Sequence, residues 1–169
     1  GVLFAEIAAL ANDLTTRYIS LSDGSASNEV YLRYDTVSNR IVATITVSGS
    51  AVASFITTDY NIINYNKIAI KYKQNDFALW INGTQIGTDT SGSIFSADTL
   101  NNLNFNRGNN TLPFYGKTKQ LMVFDEALND YELAELTSLV NLNPFTFTVQ
   151  TNTSGVSNND QFTLPLTDN

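Results

Sequence analysis

The 169-residue chain has no cysteine and no histidine. Without cysteine there can be neither a disulfide framework nor a thiolate metal site, and the redox compartment is left open. Without either residue, the usual nucleophile–base pairs of covalent catalysis are missing. Positive charge is also scarce. Nine Lys and Arg stand against sixteen Asp and Glu, a net charge of −7, whereas phosphate binding draws on clustered basic side chains. A nucleic-acid partner is not expected. No apolar run approaches the roughly 18 residues of a membrane-spanning helix, so membrane insertion is not expected either. The chain opens at Gly1 with no charged-then-apolar leader. The expectation is a signal peptide absent or already removed, with VLFAEIAAL continuing from a larger polypeptide.

What is present is apolar and neutral-polar. Hydrophobic residues make up 43% and charged residues 15%, so a surface must be built largely from Asn, Thr, Ser and Gln. That composition suits a β-protein with a neutral polar exterior, of the kind common on secreted or virion-exposed modules. The length allows one domain with a proper core and a short appendage.

Asn82-Gly83-Thr84, inside FALWINGTQIG, can be read as a glycosylation acceptor or as the tip of a hairpin. The flanks favour the hairpin. Phe77, Leu79 and Ile81 alternate with Ala78 and Trp80 before it, and Gln85-Ile86-Gly87 resumes an extended segment after it. Asn and Gly both tolerate the positive φ that a type I′ turn demands. The other acceptor tripeptides, at Asn109 and Asn152, fall in polar loops and are expected by chance in a chain so rich in Asn and Thr.

The same alternation recurs along the chain. RYISL, EVYLRY, RIVATITV, AVASFITT, KIAIKYK, FALWIN, TQIG, LNNLNFN and KQLMVF read as short strands between turns such as Ser22-Asp23-Gly24. Val30, Leu32 and Tyr34 oppose Tyr31 and Arg33; Ile41, Ala43, Ile45 and Val47 oppose Val42, Thr44 and Thr46. Many short strands with no intervening helices predict an all-β antiparallel sandwich or jelly roll. Lys67, Lys71 and Lys73 fall on the strand face opposite Ile68, Ile70 and Tyr72, and the expectation is an outward row that guards against edge pairing. FAEIAALAND is ambiguous between helix and edge strand.

One helix is expected near the end. Leu128, Leu133, Leu136 and Tyr131 lie at helical spacing, and Asn129 with Glu132 forms a capping box. Pro144 breaks the pattern. The division is therefore a sandwich over 1–142, then a linker and the start of a following surface-type module over 143–169.

The succession FALWINGTQIG, a loop, a strand, then FYGKTKQLMVFDEALNDYELAEL resembles the laminin-G-like (concanavalin A-like) sandwich family. Its members carry an apolar strand ending in an Asn-Gly or Asp-Gly turn, then a Gly-led strand, an acidic turn and a short helix. Here those are Gly116, the strand to Phe124, Asp125, and Leu128 through Leu133. The resemblance covers roughly residues 1 to 140. Thr118 departs from it, standing where the family has an aliphatic residue, and an additional strand would normally precede Gly1. SLSDG, NDFALWINGTQIGTDTSG and FYGKTKQL are similar to modules of large phage virion proteins and bacterial surface proteins, such as tail, fibre or head appendages. The tail NNDQFTLPL looks like the start of the surface repeats that follow such modules.

The resemblance implies a lectin-like role, and the residues argue against a hydrolase. Glycosidases of this superfamily place two carboxylates two residues apart on one strand, about 5 Å apart in retaining enzymes. The only acidic pair at that spacing is Asp130 and Glu132, on the expected helix, where i and i+2 point apart. A non-catalytic module is expected. Ca²⁺ is the cofactor to weigh, since several laminin-G-like domains bind it. Asp23, Asp59, Asp89, Asp98 and Asp125 lie in expected loops, with Asp23, Asp89 and Asp125 the candidate ligands, although turn-forming Asp explains each one alone. For a sugar, an aromatic face beside amide side chains is the recognisable chemistry. Trp80, Tyr60, Tyr65, Tyr115 and Asn64 are the candidates, with Trp80 also able to pack beneath the helix. The partner expected is a surface glycan, or other subunits of a virion or cell-surface protein.

Overall fold

The computed structural model describes residues 1–140; the expected linker and following module, 143–169, lie outside the described residues. Ten strands and one helix follow in order: β1 (Val2–Ala9), β2 (Arg17–Ser22), β3 (Glu29–Tyr34), β4 (Ile41–Val47), β5 (Ser50–Thr57), β6 (Asn66–Lys73), β7 (Asp76–Ile81), β8 (Thr84–Asp89), β9 (Asn102–Asn104), β10 (Gly116–Phe124) and α1 (Asp130–Thr137). They form two five-stranded antiparallel sheets. Sheet A has the order β10-β1-β6-β7-β8, and sheet B the order β5-β4-β3-β2-β9. The antiparallel sandwich is the fold the alternation predicts.

Period-2 alternation sets the core. Leu3, Ile7, Ile68, Ile70, Phe77, Leu79 and Ile81 from sheet A meet Ile19, Leu21, Val30, Leu32, Tyr34, Ile41 and Ile45 from sheet B. At the β7–β8 turn, Asn82 (φ 52°) and Gly83 (φ 83°) both adopt the left-handed conformation of a type I′ turn. Asn82 Oδ1 accepts the Lys67 N–H at 2.9 Å and its Nδ2 donates to Asn66 Oδ1 at 2.8 Å. The turn thus engages both the oxygen and one N–H of the Asn82 amide.

Two expectations are corrected. The ambiguous N-terminal segment is a strand, but not an edge: β1 lies between β10 and β6. Both its faces are buried, which removes the alternation that normally identifies a strand. The lysine row faces outward as expected, but on β6, the central strand of sheet A, so it guards no edge. It holds the helix instead. Lys67 Nζ donates to the Ser138 carbonyl at 2.8 Å, and Lys71 Nζ lies 2.5 Å from Asp76 and 3.5 Å from Asp130.

Helix α1 starts at the expected capping box. Glu132 N donates to Asn129 Oδ1 at 3.0 Å, and Asn129 N donates to Glu132 Oε2 at 2.8 Å, satisfying two otherwise orphaned donors. Leu133, fully buried, packs with Val2, Phe4, Ala69, Ala78 and Trp80 on the outer face of sheet A, flanked by Leu128 and Leu136. Tyr131 is exposed and outside this stripe.

Candidate functional site

The sequence-predicted sugar contacts are scattered. Trp80 does lie on the outer face of sheet A, but α1 covers that face and leaves the indole 8% exposed. It is helix packing, with no open ring face to offer a sugar. Tyr60 is half-buried and packs against the core, its hydroxyl 3.5 Å from the Ile81 carbonyl. Tyr65 lies beneath Lys119, whose Nζ is 4.2 Å from the ring centroid and also pairs with Glu6 at 3.0 Å. Asn64 is exposed and accepts from Asn66 through its carbonyl at 3.0 Å. Tyr115 is 65% exposed just before β10.

The candidate calcium ligands stand in separate turns. Asp23 Oδ1 accepts the Ser25 N–H and its Oδ2 the Asn28 amide, each at 2.8 Å. Asp89 Oδ1 accepts both the N–H and hydroxyl of Ser91 at 2.9 Å. Asp125 is exposed after β10. Among the described residues, no three acidic side chains converge on a point that could hold a metal, and both oxygens of Asp23 and Oδ1 of Asp89 take part in turn hydrogen bonds.

A different cluster forms on the outer face of sheet B. Period-2 alternation turns Tyr18, Ser20 and Ser22 of β2 and Glu29, Tyr31 and Arg33 of β3 away from the core. The register pairs Tyr18 with Arg33, Ser20 with Tyr31 and Ser22 with Glu29. The Tyr18 and Tyr31 rings meet with centroids 4.9 Å apart. The guanidinium carbons of Arg33 and Arg107 each lie 5.7 Å from the Tyr18 centroid. Tyr18 is the buried floor, with Tyr31, Arg33 and Arg107 as the partly exposed rim.

Arg107 arrives from the loop between β9 and β10. Ser20 Oγ donates to the Asn106 carbonyl at 2.7 Å, and Tyr18 N to the Leu112 carbonyl at 3.2 Å. Within the loop, Arg107 N donates to the Thr111 carbonyl at 2.8 Å and Asn110 N to the Arg107 carbonyl at 2.8 Å. Arg107 Nε and Gly108 N each donate to one oxygen of Glu29 at 3.2 Å. Arg33 is steadied by Asp35, whose Oδ2 lies 3.0 Å from Arg33 and 2.9 Å from Arg40.

Three guanidiniums, Arg33, Arg40 and Arg107, are set against Glu29, Asp35 and the nearby Asp23, so charge is balanced here in an otherwise acidic molecule. Burial pushes the Glu29 carboxyl up, and the Gly108 N–H and Arg107 pull it only partly back. Burial also raises Asp35, but the Thr36 N–H, Arg33 and Arg40 outweigh it and hold that carboxyl below the ordinary range. Burial pushes the Tyr18 hydroxyl up, against the pull of both rim arginines. Arg33 Nε and Asn106 Oδ1 are buried without a hydrogen-bond partner, and the terminal nitrogens of Arg107 have no partner among the described residues. Arg33 Nε and Asn106 Oδ1 are closed off from solvent, so the Arg107 terminal nitrogens, on a partly exposed side chain, are the groups open to a polar guest. Sequence reasoning passed over the cluster. The signal within EVYLRY is that Glu29, Tyr31 and Arg33 share one outward face; the contribution of Arg107 has no local signal.

No family model matches this sequence, and no curated protein is significantly similar to it. Solved structures do share the architecture. The CBM40 module of the Ruminococcus gnavus IT-sialidase, bound to α2,3-sialyllactose, is matched with a TM-score of 0.65 at 18% identity, over 82% of each chain. The same module bound to α2,6-sialyllactose gives 0.63 at 18% identity, again over 82% of each chain. The leech intramolecular trans-sialidase gives 0.64 at 16% identity, over 83% of this chain and 23% of that one. At these identities the likeness is one of fold: this chain shares their antiparallel two-sheet sandwich.

Proposed function

We propose that the chain is a non-catalytic glycan-binding module of a surface-exposed protein, with its site on the outer face of sheet B and an acidic sugar as ligand. The observation that carries this reading is the placement of Arg33 and Arg107 equidistant from the Tyr18 ring. A sugar acid offers a carboxylate to paired guanidiniums, which bind such planar anions well. It also offers C–H faces to the partly exposed Tyr31 ring and hydroxyls to the terminal nitrogens of Arg107. The solved sandwiches of the same fold that carry sialyllactose are in accord with it. The neutral polar exterior and the resemblance of SLSDG and FYGKTKQL to virion and bacterial surface modules support a role in adhesion, on a phage tail, fibre or head appendage or on a cell surface.

The test is titration of 3′-sialyllactose, with lactose as control, into the wild type and its variants. Arg33→Ala and Arg107→Ala are each expected to weaken binding about tenfold or more, the scale of a lost hydrogen bond to a charged group. Tyr65→Ala and Tyr115→Ala are expected to leave it unchanged. Loss on Tyr65→Ala alone would move the site to the Tyr65–Asn64 corner.

A second reading, assembly within a fibre or appendage, has one observation in its favour. Edge strand β5, SAVASFIT, carries no charged residue and exposes Ile56, and uncharged edges invite strand pairing. A blank across a glycan array from folded protein would favour it.

A further inference from the structure

We infer that Glu29 is a positioning residue: by gripping Arg107 Nε and Gly108 N–H together, it fixes the 105–112 loop on sheet B and sets the Arg107 guanidinium over Tyr18. The consequence for ligand affinity rests on the glycan-binding reading above; the positioning itself does not.

The argument begins with an anomaly of burial. Glu29 belongs to the outward row of β3, where a carboxylate ordinarily meets water, yet it is 0% exposed. The loop covers it. A covered carboxylate is costly unless its oxygens are hydrogen-bonded and its charge is paired. Here one oxygen takes a guanidinium N–H and the other a backbone N–H, from consecutive residues of a loop some eighty positions along the chain. Glu29 therefore cannot reach a ligand itself, and both its oxygens are committed to the loop.

Gly108 shows how closely the loop must approach. A Cβ at this position would stand 2.2 Å from the Ser25 carbonyl oxygen and 2.9 Å from Ser22 Cβ, closer than side chains tolerate. Only glycine lets the backbone descend far enough for its N–H to reach Glu29. Because Arg107 spends Nε on this anchor, its terminal nitrogens are the ones left to face outward. The anchor thus chooses which edge of the guanidinium a ligand meets, and a bidentate contact is sensitive to that choice.

The experiment follows the Arg107 Nε–H resonance by NMR in the ligand-free protein, alongside 3′-sialyllactose affinity, in wild type, Glu29→Gln, Arg107→Ala and the double variant. In wild type the Nε–H is expected as a distinct, slowly exchanging signal. Glu29→Gln presents an amide in place of one acceptor oxygen, and the signal is expected to lose its shift and protection. Affinity should fall by about tenfold or more, with no further loss on adding Glu29→Gln to Arg107→Ala. Glu29→Asp, which restores charge at shorter reach, is expected to recover part of both readouts. An unchanged Nε–H signal in Glu29→Gln overturns the inference, as do additive losses in the double variant. Should Glu29→Gln fail to fold, Gly108→Ala displaces the same loop from its other anchor, and an unperturbed Arg107 signal there is equally decisive. If wild type ignores sialyllactose altogether, the glycan-binding reading fails, while the ligand-free signal still decides the role of Glu29.

Discussion

Lys67 and Lys71, four residues apart on β6, hold opposite ends of one helix: Lys67 Nζ donates to the Ser138 carbonyl just past the C-terminus, and Lys71 Nζ lies 3.5 Å from Asp130 in the first turn. The first contact follows the helix dipole, since a cation at the C-terminus meets its negative end. The second places a cation at the positive end and is made favourable by Asp130. Lys71 is also nearly buried, so its stem packs while its charge is shared with Asp76.

Hydrophobic packing should nevertheless outweigh these charges in holding α1. Leu133→Ala deletes a fully buried side chain between the helix and sheet A and is expected to cost about 2–5 kcal/mol. Lys67→Ala removes one partly exposed hydrogen bond and should cost about 0.5–1.5 kcal/mol. Trp80, the only tryptophan, lies directly beneath the helix and reports its docking. Urea unfolding followed by its fluorescence should rank the two variants in that order. A red-shifted native emission is expected for Leu133→Ala alone.

The turn reading of Asn82 makes a separate prediction. Its side chain bridges Lys67 N–H and Asn66, and Gly83 N donates to Thr137 Oγ1 at 3.0 Å, joining the hairpin tip to the helix end. Asn82→Ala loses both bridges and places Ala at a positive φ. A destabilisation of about 1–3 kcal/mol is expected, whereas Asn109→Ala, at an exposed loop position, should fall within about 0.5 kcal/mol of wild type. Equal midpoints for the two variants in urea would contradict this.

Two carboxyls of the sheet B site should pull stability in opposite directions with pH. Glu29 is raised above its ordinary value of 4.5. Between that value and its own, the native state holds a proton that the unfolded chain releases, so stability declines as pH rises through this window. Asp35 is lowered; its contribution is fully present above its ordinary value of 3.8 and is lost as pH falls towards the folded pKa. Unfolding midpoints measured from pH 3 to 7 should therefore show the Glu29 decline in wild type and a flat course through the same window in Glu29→Gln. A decline that survives the substitution would assign it elsewhere.

Much of the fold was legible because its determinants are local. Alternation marked nine of the ten strands, Asn82-Gly83 marked its hairpin, and Asn129 with Glu132 marked the start of the helix. β1 was obscured because burial on both faces makes a strand read as a continuous apolar run, and its alanines suit a helix equally well. The row Lys67, Lys71 and Lys73 gave its direction but not its place in the sheet, since strand order is settled by pairings more than fifty residues apart. The same limit hid the site. Alternation alone puts Glu29, Tyr31 and Arg33 on one face, but Tyr18 joins them through β2–β3 pairing and Arg107 through a carboxylate seventy-eight positions away. Trp80 attracted attention as the lone indole, and only the docked helix shows that its face is taken.

The position of β1 also has a kinetic side. Its two partners are β6 and β10, so β1, synthesised before either, lacks both until residues 66–73 follow on one side and residues 116–124 on the other. Strands β2 to β5, by contrast, pair consecutively and can assemble as soon as each is made. Closing loops of such unequal length favours sheet B as the earlier structure. Sheet A then completes around a strand whose eight residues, all destined for burial, spend that interval bare to solvent. That is the stage at which the nascent chain is most exposed to aggregation and has most to gain from a chaperone.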